Sequence, residues 1–326
     1  MDEKKRNIGV DILKFMAVLL ITNSHMEILY GPYSVLATGG AIGDVLFFFC
    51  SGYTLFLRPM EGIGAFPNWY KRRINRIYPS VFAAAIVSCA ITGTGYDIID
   101  LIRFGGGWFV ACIMVYYVIV YFIGCYVRKY TGRIIGMVSA VAITCFLSTD
   151  RQFPYNLYGD DGIPLVWIIY FNFMLLGAMM GTKPIKTGKS WADFLLFIIS
   201  VILFYALYIS ARKVAAVEVI EILSFLPLMS AVYFLFRWSN GVTARRIYTS
   251  KLGFFIIRFV GGLCLEVYLT HGLLLTDRLN GLFPLNIPIV FIAIVIFAYL
   301  VRCLSRFLSQ TFKDAPYDWQ QMVQRY

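Results

Sequence analysis

Apolar stretches close to twenty residues long recur from one end of this sequence to the other, separated by short charged segments. About twenty apolar residues is the length an α-helix needs to cross the roughly 30 Å hydrocarbon layer of a bilayer. Inside that layer every backbone N–H and C=O has to be bonded within the spanning structure, which leaves helices or closed barrels. Runs of this length select helices. Composition agrees: 60% of the residues are hydrophobic and 14% charged, against roughly 45–50% and 25% in soluble domains. The 28 Phe and 22 Tyr suit helices that pack heavily and anchor at the membrane interfaces. The expected fold is an all-α integral membrane protein.

The pattern predicts about ten transmembrane helices, over 8–30, 41–57, 77–95, 107–127, 133–149, 163–182, 191–211, 217–236, 254–276 and 282–304, in a single domain covering 1–326. With the N-terminus inside, 23 of the 29 Lys and Arg fall on the cytoplasmic side and five outside, with Lys14 at membrane depth. That asymmetry predicts both termini in the cytoplasm and a multi-pass protein of the cell (cytoplasmic) membrane. The net charge of +11 is thereby a topology signal, and nucleic acid is excluded as a partner. The basic start, Lys4-Lys5-Arg6, leads into a segment holding Asp11, Lys14 and His25 without a small-residue cleavage site, so it reads as a retained span. All seven cysteines fall inside predicted spans with no C-x-x-C spacing, which favours buried small side chains over disulfides or a metal site. The longest loop, 58–76, carries Phe66-Pro67-Asn68-Trp69-Tyr70 and reads as an interfacial turn or short helix. The tail after Asp314 reads as short, polar and cytoplasmic.

Ionisable residues at membrane depth are expensive and by default mark function. Only two histidines are present, His25 and His271, each at the outer end of an apolar run. Imidazole accepts a proton near neutral pH, which few other side chains do unaided. Lys14 lies eleven residues before His25, within roughly 20° of the same helix face and about 16 Å along the axis. One stripe thus carries a cation inward and a base outward. The plainer alternative is a snorkelling Lys14, beside Asp11, and a helix-capping His25. Arg73 and Arg76, at i and i+3, suit bidentate phosphate contacts at the inner mouth of the third span, or ordinary cytoplasmic anchoring. Asp44 reads either as a partner for His25 or as a solvated loop carboxylate. Glu266 lies about 140° around its helix from His271, so the two are expected to face different surroundings. Gly105-Gly106-Gly107 precedes Trp108-Phe109 outside any strand–helix context and reads as a tight entry to the fourth span.

Five of these segments, taken in order, resemble acyltransferase family 3, the integral-membrane enzymes that O-acylate cell-surface sugars and other acceptors. Lys14 and His25 look like the family's opening basic-residue–x10–His motif, with Lys where Arg is common. Phe47-Phe48 through Ser51-Gly52-Tyr53 is similar to its second-span motif, and Arg73-Ile74-Asn75-Arg76-Ile77-Tyr78-Pro79 to its third-span signature. Trp108-Phe109 and Tyr268-Leu269-Thr270-His271 fit its later W-F and Y-L-x-H signals. The resemblance covers nearly the whole chain. It implies ten helices, a cytoplasmic acyl-CoA donor with acetyl-CoA the expected form, and a hydroxyl of a cell-envelope polysaccharide or lipid-linked sugar as acceptor. It implies His25 as the catalytic base and Lys14, Arg73 and Arg76 as donor-binding residues; His271, at similar depth on another helix, is expected as the second catalytic residue, holding the acceptor or sharing the proton, and no metal is expected. Two other classes compete: a small-molecule transporter, disfavoured by the lack of a fused soluble domain, and a non-catalytic component of polysaccharide assembly, which needs neither Lys14 nor His25.

Overall fold

The computed structural model describes residues 7–93, 95, 107–159, 162–185, 187–311 and 316–324. Lys4, Lys5, Arg6, Arg103, Lys186, Lys313 and Arg325 of the charge count lie outside the described residues, as do Asp97, Asp100, Asp160, Asp161, Asp314, Gly105 and Gly106. Along the chain the helices are α1 Ile8–Ser24, α2 Glu27–Tyr30, α3 Gly40–Phe56, α4 Phe66–Thr92, α5 Gly107–Phe122, α6 Thr131–Ser148 and α7 Leu165–Gly181. They continue as α8 Ser190–Lys213, α9 Phe225–Ser239, α10 Val242–Thr249, α11 Lys251–Gly262, α12 Cys264–Thr270, α13 Asn286–Thr311 and α14 Trp319–Met322. Among the described residues there is no strand, so the all-α membrane class holds.

Among the described residues, five helical segments are long and apolar enough to cross a membrane, and up to seven if two bent pairs count as one span each. Both bends are departures from the continuous spans expected. The first span breaks by 66° between Ser24 and Glu27, and the ninth by 56° between Gly262 and Cys264. A third correction concerns 58–76: α4 starts at Phe66, with Pro67 in its first turn, so Lys71, Arg72, Arg73 and Arg76 are helical rather than in a loop. Proline is at home there because the first-turn N–H has no intrahelical acceptor. The tail is also more than a polar end. Asp318 caps α14 by accepting from the Gln321 N–H, and Tyr299 of α13 donates to the Val323 carbonyl at 2.6 Å.

The chain forms two compact units that interleave in sequence. The first comprises Met1–Lys14, Asp44–Met60 and Phe122–Phe254. Its core is aromatic: Phe49 and Tyr53 of α3 both lie 5.0 Å, centroid to centroid, from Phe236 of α9. Gly52 and Gly177 let α3 and α7 meet backbone to backbone. A Cβ on Gly52 would come within 1.9 Å of the Met174 carbonyl, and one on Gly177 within 2.0 Å of the Phe49 carbonyl. Asp44 is inside α3, not in a solvated loop, and its carboxylate lies beside the Tyr170 hydroxyl of α7. Buried Asp11 accepts a hydrogen bond from Tyr248 of α10 at 2.9 Å. In the loop before α7, burial pushes the Tyr158 phenol above its ordinary range; it pairs with Ser224 at 2.8 Å.

The second unit comprises Phe15–Gly43, Glu61–Tyr121 and Phe255–Tyr326. Here α4 packs on α12 and α13, with Ala83 and Ala84 against Val301. At the base of α4, Trp69 meets Tyr121 at 4.8 Å and Tyr117 edge-on at 6.0 Å. None of the seven cysteines, all among the described residues, forms a disulfide, and Cys50, Cys112 and Cys264 are buried.

Candidate active site

His25 lies in the break of the first bent span, His271 follows α12 beyond the break of the other, and the fold of the second unit brings them together. Their ring centroids are 4.6 Å apart, with the planes inclined by 42°. His25 is the first residue beyond α1, so the regular helix behind the shared-stripe argument ends one residue short of it. Its N–H bonds the Thr22 carbonyl at 3.2 Å, a tightened final turn. Asn23 then fastens the returning chain. Its amide donates to the carbonyls of Leu36 and Thr38, both at 2.9 Å, while its carbonyl oxygen accepts from Tyr30 at 2.6 Å.

His271 follows α12 and opens a 3-10 turn through Leu274. Its Nδ1 lies 3.1 Å from the Val267 carbonyl and 2.9 Å from that of Tyr268. Carbonyl oxygens only accept, so Nδ1 carries the hydrogen and the neutral ring keeps its lone pair on Nε2. His271 is buried at 9% exposure, whereas His25 is exposed. One ring is therefore held by the backbone and the other is open to a reactant. A second positive charge 4.6 Å from a first is opposed by it, so the pair is suited to holding one proton.

The W-F and Y-L-x-H segments converge on this pair. Tyr268 lies 6.2 Å from His271 and 5.0 Å from Phe109, which in turn meets Trp108 edge-on at 6.0 Å. Gly107 begins α5 at φ +67°, a conformation open to glycine at little cost, in keeping with the tight entry expected there. Beyond the histidines, Asn280 and buried Asn286 donate to the carbonyls of Ile28 and Leu29, both at 2.8 Å, and Phe283 stacks on Tyr33 at 5.4 Å. These contacts tie the segment after His271 to the segment after His25.

Beneath His271, Glu266 accepts from Ser80 of α4 at 2.8 Å and from Arg302 of α13 at 2.6 Å, and Ser80 also lies 3.1 Å from Ser305. Arg302 donates in addition to the Gly262 carbonyl, at the bend itself. Arg302 is therefore a helix residue paired with Glu266, not one of the loop cations among which charge counting places it. The separate surroundings expected for Glu266 and His271 are what the structure contains. An isolated Glu in one apolar run and an isolated Arg in another were the available signals for this pair, while the three asparagines gave none stronger than polarity at a span end.

Of the donor-binding candidates, Arg73 and Arg76 share α4 in this unit. Arg73 is half-buried over the Trp69 ring at 5.2 Å with its Nε lacking a partner, and Arg76 is exposed. Lys14 belongs to the first unit, half-buried in α1 and electrostatically coupled to Cys50.

A family model described as an acyltransferase domain matches residues 7–303. The chain belongs to acyltransferase family 3. Among curated proteins and among solved structures, none matches it. Membership in acyltransferase family 3 together with the apolar helices points to a multi-pass membrane acyltransferase, and the matched range takes in both histidines and the Glu266–Arg302 pair.

Proposed function

We propose that this family member moves an acyl group, acetyl first among them, from cytoplasmic acyl-CoA to a hydroxyl of a cell-envelope polysaccharide or lipid-linked sugar. The observation that carries this reading is the 4.6 Å approach of His25 to a His271 whose tautomer is set by two carbonyls. His25 acts as general base. It takes the proton from the acceptor hydroxyl as that oxygen bonds to the thioester carbon. The tetrahedral adduct then expels the CoA thiolate, which recovers the proton as the thiol. His271 holds the acceptor or shares the proton. Arg73 and Arg76 hold the donor phosphates.

A topology of ten spans with both termini in the cytoplasm accompanies this reading. The helical run Gly107–Ser148 has 42 residues, or about 63 Å at 1.5 Å per residue, twice a bilayer core. It is interrupted by π and 3-10 turns over Ile123–Tyr130, where Arg128 and Lys129 lie, so it counts as two spans. Adding the two bent pairs and the shorter α3 and α7, each 17 residues, completes ten.

His25→Ala tests the mechanism in membranes supplied with labelled acyl-CoA. Transfer is expected to fall by about 10²–10⁴-fold while CoA affinity is retained, because a base acts in the transition state. Substantial residual transfer would refute the assignment.

A further inference from the structure

The first unit carries a second candidate site, far in sequence from either histidine. Between α5 and α6 the backbone changes type twice within eight residues: a π turn over Ile123–Val127, then a 3-10 turn over Arg128–Tyr130. Such π insertions are concentrated at functional sites because they re-aim the side chains that follow. Here they present Arg128, Lys129 and Arg133 to one cavity of about 690 Å³, joined by Lys183 from the end of α7. No carboxylate lines it among the described residues.

The cations are arranged for different tasks. Arg128 is half-buried and committed to structure, donating to the carbonyls of Phe56 and Arg58. Lys129, Arg133 and Lys183 are exposed. The Lys129 ammonium and the Arg133 guanidinium both lie against the Tyr130 ring, at 4.9 and 5.1 Å from its centroid. An aromatic face supports cations in this way without neutralising them. Charges that serve only to fix topology need a side of the membrane, not a shared concavity around a common ring. Like charges gathered without a counter-charge repel, and an anion relieves that repulsion.

We propose that this cavity binds a phosphate ester. Arginine supplies a planar fork for phosphate oxygens and lysine a mobile point charge. The volume lies in the range of sites for whole small ligands, larger than a lone inorganic ion needs. Two sources present this chemistry at the membrane surface: the headgroup of an anionic phospholipid and a soluble phosphate ester such as a coenzyme or nucleotide. The site does not depend on acyl transfer, since none of its residues belongs to the histidine unit.

The test uses the full-length protein in phosphatidylcholine nanodiscs. One arm measures CoA binding by calorimetry; the other measures phosphatidylglycerol retention by native mass spectrometry after addition of that lipid. Arg133→Gln/Lys183→Gln removes two exposed cations without touching Arg128. Arg245→Gln/Arg246→Gln is the charge-matched control, on α10 outside the cavity. Loss of about tenfold or more in either arm for the cavity variant, with the control near wild type, supports the site and names its source. An unchanged cavity variant in both arms, equal loss in the control, or no binding of either probe by the wild type overturns it.

Discussion

The two ends of α12 hold the same kind of raw material and use it in opposite ways. Near its start, Glu266 is buried and saturated, receiving Ser80 and Arg302, and Arg302 also fastens the Gly262 carbonyl at the bend. Just past its end, His271 has one nitrogen occupied by backbone carbonyls and its other nitrogen left for chemistry beside exposed His25. A buried ionic group whose bonding capacity is filled has nothing left to offer a reactant. A polar group held on one side only is positioned and still reactive. On the proposed mechanism, the contrast separates a clamp from a catalyst across one short helix.

The sharpest way to break this comparison is to remove each end separately. His25→Ala should leave the unfolding temperature in detergent near wild type while transfer collapses, and His271→Ala should impair transfer less. A His25→Ala protein that unfolds early would make the pair structural.

At the other end, Glu266→Ala strands Arg302 and should cost about 3–5 kcal/mol of stability, as broken buried ion pairs do. The double variant Glu266→Met/Arg302→Met should recover much of that loss, because it leaves no unpaired charge. A double variant as unstable as the single one would show that Glu266 contributes something other than pairing with Arg302.

Arg73 is the intermediate case, half-buried on an aromatic ring with one nitrogen unpartnered. Arg73→Ala should weaken CoA binding by roughly 1.5–3 kcal/mol if it holds a phosphate. Unchanged affinity by calorimetry would return it to the clamp class.

The smallest effect is one of accessibility. With the histidine pair outward, Lys189→Cys should resist an impermeant thiol reagent in intact cells and Asp150→Cys should react. The reverse pattern would place the histidine pair on the cytoplasmic side and sink the topology.

Hydropathy located the apolar segments well, to within a residue at α3, because burial in lipid is an average property of a window. It missed the breaks, which depend on single residues. Asn23-Ser24 and Gly261-Gly262 are ordinary break signals, but an apolar average hides them. The early start of α4 was hidden the other way, since Lys71, Arg72, Arg73 and Arg76 lower the hydropathy of what is a regular helix. Arg302 was counted with the loop cations because charge counting registers a residue's place in the chain and not its partner. The candidate histidines were legible from their rarity and position. Their approach to each other was implied by no local pattern, because contact between residues so distant in sequence is a property of the assembled fold.

That distance has a consequence for how activity arises during synthesis. The second unit is drawn from three separate stretches of chain, and its last stretch, Phe255–Tyr326, delivers His271. At about 5–20 residues per second, a ribosome makes His271 roughly 12 to 50 s after His25. Through that interval the growing chain carries only one of the two histidines. On the proposed mechanism, a product that stops short of His271 lacks half of the pair and is inert.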